Sequence, residues 1–338
     1  MVAGVAVVLA FLISALLTRR ICNPASRLHV LDHPNERSLH TRATPRTGGV
    51  AILAGVSAGF VLLALWEEMG NFLPWFGLSA AIMAALSFMD DRRGLSVRVR
   101  LLGHLASAGI LVASGLVLPF ISLPSVMWEW PAWLGMIFSL LFLIWMANLY
   151  NFMDGMDGFA GGMAVIGFGT FAVLGGMSGN GLFMALSLII AASSGGFLLF
   201  NFPPARLFMG DVGSSVLGLL AAAFSLWGAR DGVFPFWLAV LVFSPFVVDA
   251  TVTLNRRILQ GDKVWEAHKI HYYQRLVQLG WGHKKTVLRE YALMLACGLS
   301  AIWVVRQPAL LQWLAIAFWL ACYSALAMYV RVLEKRVR

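Results

Sequence analysis

Charged side chains are scarce in this sequence. Asp, Glu, Lys and Arg make up 12% of its 338 residues, while hydrophobic residues make up 60%. That balance lies far from soluble-domain averages and leaves a polytopic membrane protein as the working class. Acidic residues are the scarcer sign, 16 against 25 basic, for a net charge of +9. In so apolar a chain the basic excess reads as loop Arg and Lys, and no nucleic-acid partner is expected. Cysteine is nearly absent. Cys22, Cys297 and Cys322 lie in or beside apolar runs with no metal or redox spacing, and read as small apolar helix residues. No HExxH pattern or cysteine pair completes a zinc site. No positive charge precedes the first apolar run, as a secretory signal would require. Arg19 and Arg20 follow it instead, so 1–17 reads as a retained span with its N-terminus outside. Strand-like alternation and internal repeats are also missing, which points to helices.

Apolar runs fill the rest. A span needs about 20 apolar residues, and eleven candidates occur, near 1–17, 48–66, 72–89, 101–118, 131–148, 159–177, 181–200, 214–228, 233–254, 288–305 and 308–330. With the N-terminus outside, the inner segments are 18–47, 90–100, 149–158, 201–213, 255–287 and the C-terminal tail. Of the 25 Lys and Arg, only Arg230 and Arg306 fall away from these segments and their flanks, as the positive-inside rule requires. The expectation is an all-α polytopic integral membrane protein of about eleven transmembrane helices. It forms one catalytic domain over 1–338, with its C-terminus and its chemistry on the cytoplasmic side. The outer connections, including a Pro-containing stretch near 119–130, hold no dense polar cluster.

The inner segments do. The densest is Asn148-x-x-Asn151-x-x-Asp154-Gly155-x-Asp157-Gly158. At about 100° per residue, Asn148 and Asp157 on one helix would point to opposite sides. Convergence requires the helix to end partway, and Gly155 and Gly158 would allow it. A polar cluster at a membrane edge is expensive unless it binds something. Asp90-Asp91 sits at the C-terminal end of a span, the unfavourable end of a helix dipole. Either Arg92 and Arg93 neutralise the pair or a cation does. The first inner loop, with Asp32, Arg37, Arg42, Arg46 and Gly48-Gly49, reads either as a solvated lipid-facing loop or as the rim of a phosphate site. Asn201 to Ser215 carries Arg206, Phe208 and Gly210-Asp211 ahead of a helix whose free amides suit phosphate. The last loop carries Glu266, His268 and His271 among Lys and Arg. Asp249 lies deeper in a span and reads as structural. Jointly, acids for a hard cation and basic loops for anions suit phosphoryl transfer onto a lipid acceptor. A transporter is the competing reading, disfavoured because the acids sit at span ends rather than mid-membrane.

Five segments in order resemble the polyprenyl-phosphate N-acetylhexosamine-1-phosphate transferases, in the glycosyltransferase 4 family. They are Asp90-Asp91 with Leu95-Ser96 and Arg100; the Asn148–Gly158 cluster; Asn201-x-x-Pro204-Ala205-x-x-Phe208-Met209-Gly210-Asp211-x-Gly213-Ser214; His268-x-x-His271; and the first loop. The resemblance implies transfer of a HexNAc-1-phosphate from a UDP-HexNAc to undecaprenyl phosphate, with Mg²⁺ or Mn²⁺, at the bacterial inner membrane. By motif, Asp211 resembles the main metal ligand, with Asp91 beside it, and Asp90 the residue that orients or deprotonates the lipid phosphate. Asn151 and Asp154 resemble active-site contacts, and Asp157, Asn201, Phe208 and Gly210 the uracil pocket. His268 and His271 resemble the pair near the donor diphosphate. Asn148, Arg46 and Arg206 complete the candidate substrate contacts, and a homodimer is left open. The last loop lacks the three consecutive histidines of the peptidoglycan branch, and the first ends Thr44-Pro45-Arg46-Thr47-Gly48-Gly49. Both favour the O-antigen and surface-polysaccharide branch over the phospho-MurNAc-pentapeptide transferases.

Overall fold

The computed structural model describes residues 1–34, 38–67, 73–263 and 268–337. Arg37 and Glu266, named above in the first and last inner loops, lie outside them. Among the described residues the chain is helical almost throughout. It begins with α1 (Val2–Ile21), a small ladder of β1 (Leu31–Asp32) with β2 (Thr44–Pro45), α2 (Gly48–Ala64), α3 (Leu73–Arg93) and α4 (Val97–Ala113). A hairpin of β3 (Phe120–Leu123) and β4 (Val126–Glu129) precedes α5 (Ala132–Phe152), α6 (Phe159–Met177), α7 (Gly181–Asn201) and α8 (Gly210–Arg230). Then come α9 (Phe236–Val242), α10 (Ser244–Gln260), the short α11 (Tyr272–Leu276), a π-turn at Val277–Trp281, α12 (Gly282–Val304) and α13 (Ala309–Val337).

Every expected span meets a helix. Among the described residues, seven helices are long and apolar enough to cross a membrane by themselves, eight if α9 and α10 count as one. The chain is therefore an all-α polytopic membrane protein. One expectation needs correction. The ninth span, 233–254, is not continuous: α9 and α10 meet at 84°. Phe243 sits at the break and Pro245 opens α10, where its missing N–H leaves no gap. The stretch near 119–130 is a β-hairpin closed by Pro124-Ser125, with Ser125 at φ 64°. Its strands, half-buried β3 and exposed β4, show no polar alternation, so nothing set them apart from the preceding apolar run.

The bundle is centred on α8, in which every residue from Val212 to Ala229 is buried. It packs against α2, α3, α5, α6 and α9. Small side chains allow such close approach where lipid offers no hydrophobic drive. At the site end, backbone bonds stitch the first inner loop to the 201–213 segment. Gly48 N donates to Phe208 O (2.9 Å), Gly49 N to Met209 O (2.7 Å), and Phe208 N to Pro45 O (2.7 Å). A Cβ on Gly49 would stand 2.1 Å from Gly213 N. The paired glycines therefore bring the first turns of α2 and α8 into contact, and this places Arg46 against the site.

Candidate active site

The period-three cluster is broken as its spacing demands. Helix α5 ends at Phe152 and α6 begins at Phe159 behind Gly158, which takes a left-handed φ of 75°. The break falls just before Gly155. That glycine instead admits Tyr273, whose hydroxyl would lie 2.2 Å from an added Cβ. Asn151, in the last turn of α5, donates from its amide to Asp211 Oδ1 (2.8 Å) and to Ser214 Oγ (3.0 Å). Asp157, beyond the break, accepts from Ala205 N (2.9 Å) and lies 3.0 Å from His283 Nδ1. Asn148 turns away from these, bonding Ile144 O (2.7 Å) and facing His104 Nδ1 (3.0 Å).

The acidic pair at the end of α3 answers its own dipole problem. The C-terminal end of α3 abuts the N-terminal end of α8, and Val212 N of α8 donates to Asp91 Oδ2 (3.4 Å). The Asp91 carboxylate, badly placed at the end of one helix, is thus well placed at the start of another. The counter-charges are not Arg92 and Arg93. Arg92 lies over the Phe88 ring, while Arg100 pairs with Asp90 (3.3 Å) and Arg46 with Asp91 (3.8 Å). Arg46 also reaches Asp32 (3.6 Å) and donates to the Asp91 carbonyl. Gly210, at φ 73°, faces Arg46 O and Asp91 closely enough that any side chain there would collide. Asp90 and Asp211 approach within hydrogen-bonding reach of each other.

Two cavities flank this knot. The first, about 210 Å³, is strongly polar and lined by Asp32, His40, Arg46, Asp91, Asp154, Asp157, Asn201, Phe208, Gly210 and His283. The second, about 340 Å³, is lined by Asp90, Arg100, His104, Asn148, His268 and His271 together with apolar Leu86, Val97, Leu101 and Phe152. Asn151 and Asp211 line both, so their 2.8 Å bond is the partition between them. The structure brings together every candidate residue except Arg206, which is exposed, lies over Phe200 and lines neither cavity. Asn201 reaches the wall, but its amide is taken by backbone: Oδ1 accepts from Gly158 N (2.9 Å) and Nδ2 donates to Leu207 O (2.9 Å). It braces the pocket from behind. Phe208 meets the His40 ring edge-on at 4.8 Å.

The histidine loop is held from below by Asp249. Its carboxylate accepts from Tyr272 N (2.9 Å) and Tyr273 N (3.1 Å), capping α11, and faces His271 Nδ1 at 3.2 Å. The His268 and His271 rings lie 4.8 Å apart. Partial burial, His271 and Arg257 push the His268 pKa down to about 4, so it is neutral at neutral pH. Asp249, His283 and His40 had no motif to flag them. Their signal is spatial, made by contacts from loops distant in sequence.

Asp154 carries the most telling electrostatics. Burial and the carboxylates of Asp211, Asp91 and Asp157 hold its pKa well above the ordinary range. Four acids (Asp90, Asp91, Asp154, Asp211) meet two guanidiniums (Arg46, Arg100) here, a charge deficit that a divalent cation would cure. Among the described residues no three His, Cys, Asp or Glu already converge as a closed metal cage. The hard oxygen donors present fit Mg²⁺, which uses one or two carboxylates and takes its other oxygens from phosphate and water.

Helical bundle, paired cavities and acidic partition make one membrane-embedded site with a polar compartment and a part-apolar one. The pattern of glycosyl transferase family 4 matches residues 73–229, which hold the acidic pair, the period-three cluster and Asp211. The chain is 33% identical over 92% of its length, and 87% of the relative's, to the probable undecaprenyl-phosphate N-acetylglucosaminyl 1-phosphate transferase of Bacillus subtilis. It is 31% identical, over 79% of its length and 75% of the relative's, to the decaprenyl-phosphate N-acetylglucosaminephosphotransferase of Mycobacterium leprae. A phospho-N-acetylmuramoyl-pentapeptide-transferase of Lactobacillus gasseri is more distant, at 26% over 72% and 78%. The chain belongs to glycosyl transferase family 4.

Proposed function

We propose that this protein transfers N-acetylhexosamine-1-phosphate from a UDP-sugar to undecaprenyl phosphate, releasing UMP and forming a lipid-linked diphospho-sugar. GlcNAc is the first sugar to test, because the relatives in Bacillus subtilis and Mycobacterium leprae are named for it. The step would open O-antigen or another surface polysaccharide, on the cytoplasmic face of the bacterial inner membrane. The observation that carries the reading is the Asn151–Asp211 partition between a polar cavity and a part-apolar one. The first suits a nucleotide diphosphate and the second a phosphate on a prenyl chain.

In this arrangement an oxygen of the lipid phosphate attacks the β-phosphorus of the donor. The bond from that phosphorus to the bridging oxygen breaks, and UMP leaves. Catalysis of phosphoryl transfer is mostly positioning and electrostatics. Arg100, paired with Asp90, directs the acceptor phosphate, and His268 and His271 close the same cavity. With a second pKa of about 6, that phosphate needs no base at neutral pH, so Asp90 orients rather than deprotonates. Arg46 faces the donor diphosphate, and Asn151 aligns Asp211. Mg²⁺ (or Mn²⁺), held by Asp211 with Asp91, would neutralise charge on the diphosphate.

The test uses detergent-purified protein, undecaprenyl phosphate and a panel of UDP-sugars that includes UDP-MurNAc-pentapeptide. UMP release that requires Mg²⁺ is expected with at least one HexNAc donor. No release with any of them refutes the reading, and release with the peptide donor alone moves the chain to the peptidoglycan reaction.

A further inference from the structure

One residue in the polar cavity belongs to none of the motifs behind the resemblance. The chain reverses through the π-turn before α12, where Gly280 (φ 87°) and Gly282 (φ 68°) hold backbone conformations that L side chains avoid. The reversal delivers His283, in the first turn of α12, into the cavity wall. Its Nδ1 lies 3.0 Å from Asp157 Oδ1, and the two side chains are only 18% and 12% exposed. The other oxygen of Asp157 accepts from Ala205 N at 2.9 Å, and the Leu39 carbonyl approaches the same imidazole. His283 therefore joins α12 to the α5–α6 turn and to the first inner loop. The contact is withdrawn from water, where a hydrogen bond to a charged group is strong and directional.

A carboxylate offers about four acceptor sites. Ala205 and His283 fill one on each oxygen, leaving acceptor capacity toward the cavity. Phe208 stands in that same wall. A base lying against Phe208 can then present its edge to Asp157. Uracil carries an N–H at ring position 3, which an ionised carboxylate accepts. Cytosine carries a bare acceptor nitrogen there, which an ionised carboxylate repels and a protonated acid would welcome.

We propose that His283 is a positioning residue for nucleobase choice: its Nδ1–H fixes the Asp157 carboxylate and aims it as an acceptor, so that the cavity admits uracil and rejects cytosine. The inference rests on the donor-cavity reading above. Buried polar groups that match one partner reject the mismatched one strongly, so the effect belongs in base discrimination as well as in donor affinity.

The experiment measures KM for UDP-sugar and for the lipid acceptor, kcat, and inhibition by UMP and by CMP. It compares wild type, His283→Ala and His283→Asn, each checked for monodispersity in detergent. Expected for His283→Ala is a donor KM raised about tenfold, about 1.4 kcal/mol. Acceptor KM stays unchanged and kcat within about twofold, while the preference for UMP over CMP falls by a similar factor. His283→Asn, whose side-chain N–H can occupy the place of Nδ1–H, restores most of both. If the Ala variant does not fold, the Asn variant carries the test through its near-normal base preference, where loss of that preference counts against the proposal. An unchanged donor KM and an unchanged UMP-to-CMP ratio in His283→Ala overturn it. Wild-type protein that releases no UMP from any UDP-sugar overturns the donor-cavity reading itself, and this inference with it.

Discussion

Removing Arg46 tests the centre of the site most directly. Its guanidinium lies 3.8 Å from the Asp91 carboxylate and 3.6 Å from that of Asp32, and it also donates to the Asp91 carbonyl. Two unit charges 3.8 Å apart interact by about 4 kcal/mol at an effective dielectric of about 20. A third of the Arg46 side chain is open to water, and screening reduces the useful part to about 2 kcal/mol. Without Arg46, buried Asp91 keeps the Val212 amide but faces the other carboxylates with one cation fewer. We expect Arg46→Ala to lower kcat/KM for the UDP-sugar by about 30-fold. Arg46→Lys should regain only part of this, because a point charge cannot serve Asp32, the Asp91 carboxylate and the Asp91 carbonyl at once. UMP release at saturating acceptor and Mg²⁺ reads the effect. An Arg46→Ala enzyme within about threefold of wild type, or a lysine variant no better than alanine, would refute this account of Arg46.

Three further outcomes are expected. Asp211→Asn keeps the size and the Asn151 contact but loses the charge; it should abolish turnover while the protein still inserts and elutes as a single species, and retained activity removes Asp211 from the reacting site. Gly49→Ala places a methyl group against the backbone of α8 and should destabilise the protein by at least about 1–3 kcal/mol, read as a lowered Tm in detergent. His268 has an ordinary pKa of 6.5 and a folded value of about 4, so the unfolded chain takes up its proton first. Its contribution is complete above pH 6.5 and is lost as pH falls toward 4; His268→Gln should flatten that part of the Tm-against-pH curve, and an unchanged curve contradicts the shift.

Much of this site is legible in sequence because its chemistry is local. The helix break at 152–159 follows from four polar residues at steps of three, which cannot share one helix face. Basic loops and apolar runs likewise set out the helices one by one. What escapes is whatever depends on two distant segments meeting. Arg100 and Arg46, not the adjacent Arg92 and Arg93, neutralise Asp90 and Asp91, because α3 keeps its own arginines facing elsewhere. Asp249 appears as a lone acid in a span, yet it caps α11 and meets His271. Arg206 shares a motif with Phe208 and Gly210 but faces outward. The 84° bend between α9 and α10 had a local sign in Pro245, hidden by an apolar run long enough to span on its own.

The complete burial of α8 bears on how the protein is made. Each helix enters the bilayer surrounded by lipid, and α8 is apolar enough to do so. In the finished fold Val212–Ala229 is enclosed by protein. It must therefore exchange a lipid solvent for neighbouring helices during assembly, with steric fit among small residues rather than the hydrophobic effect as the incentive. A copy stalled before that exchange would leave Ser214, Ser215 and Ser225 facing acyl chains, and Asp211 near them without its partners. Membrane quality control, which senses polar groups in lipid, would find its clearest mark of failed assembly on the same helix that carries Asp211, the carboxylate at the partition between the two cavities.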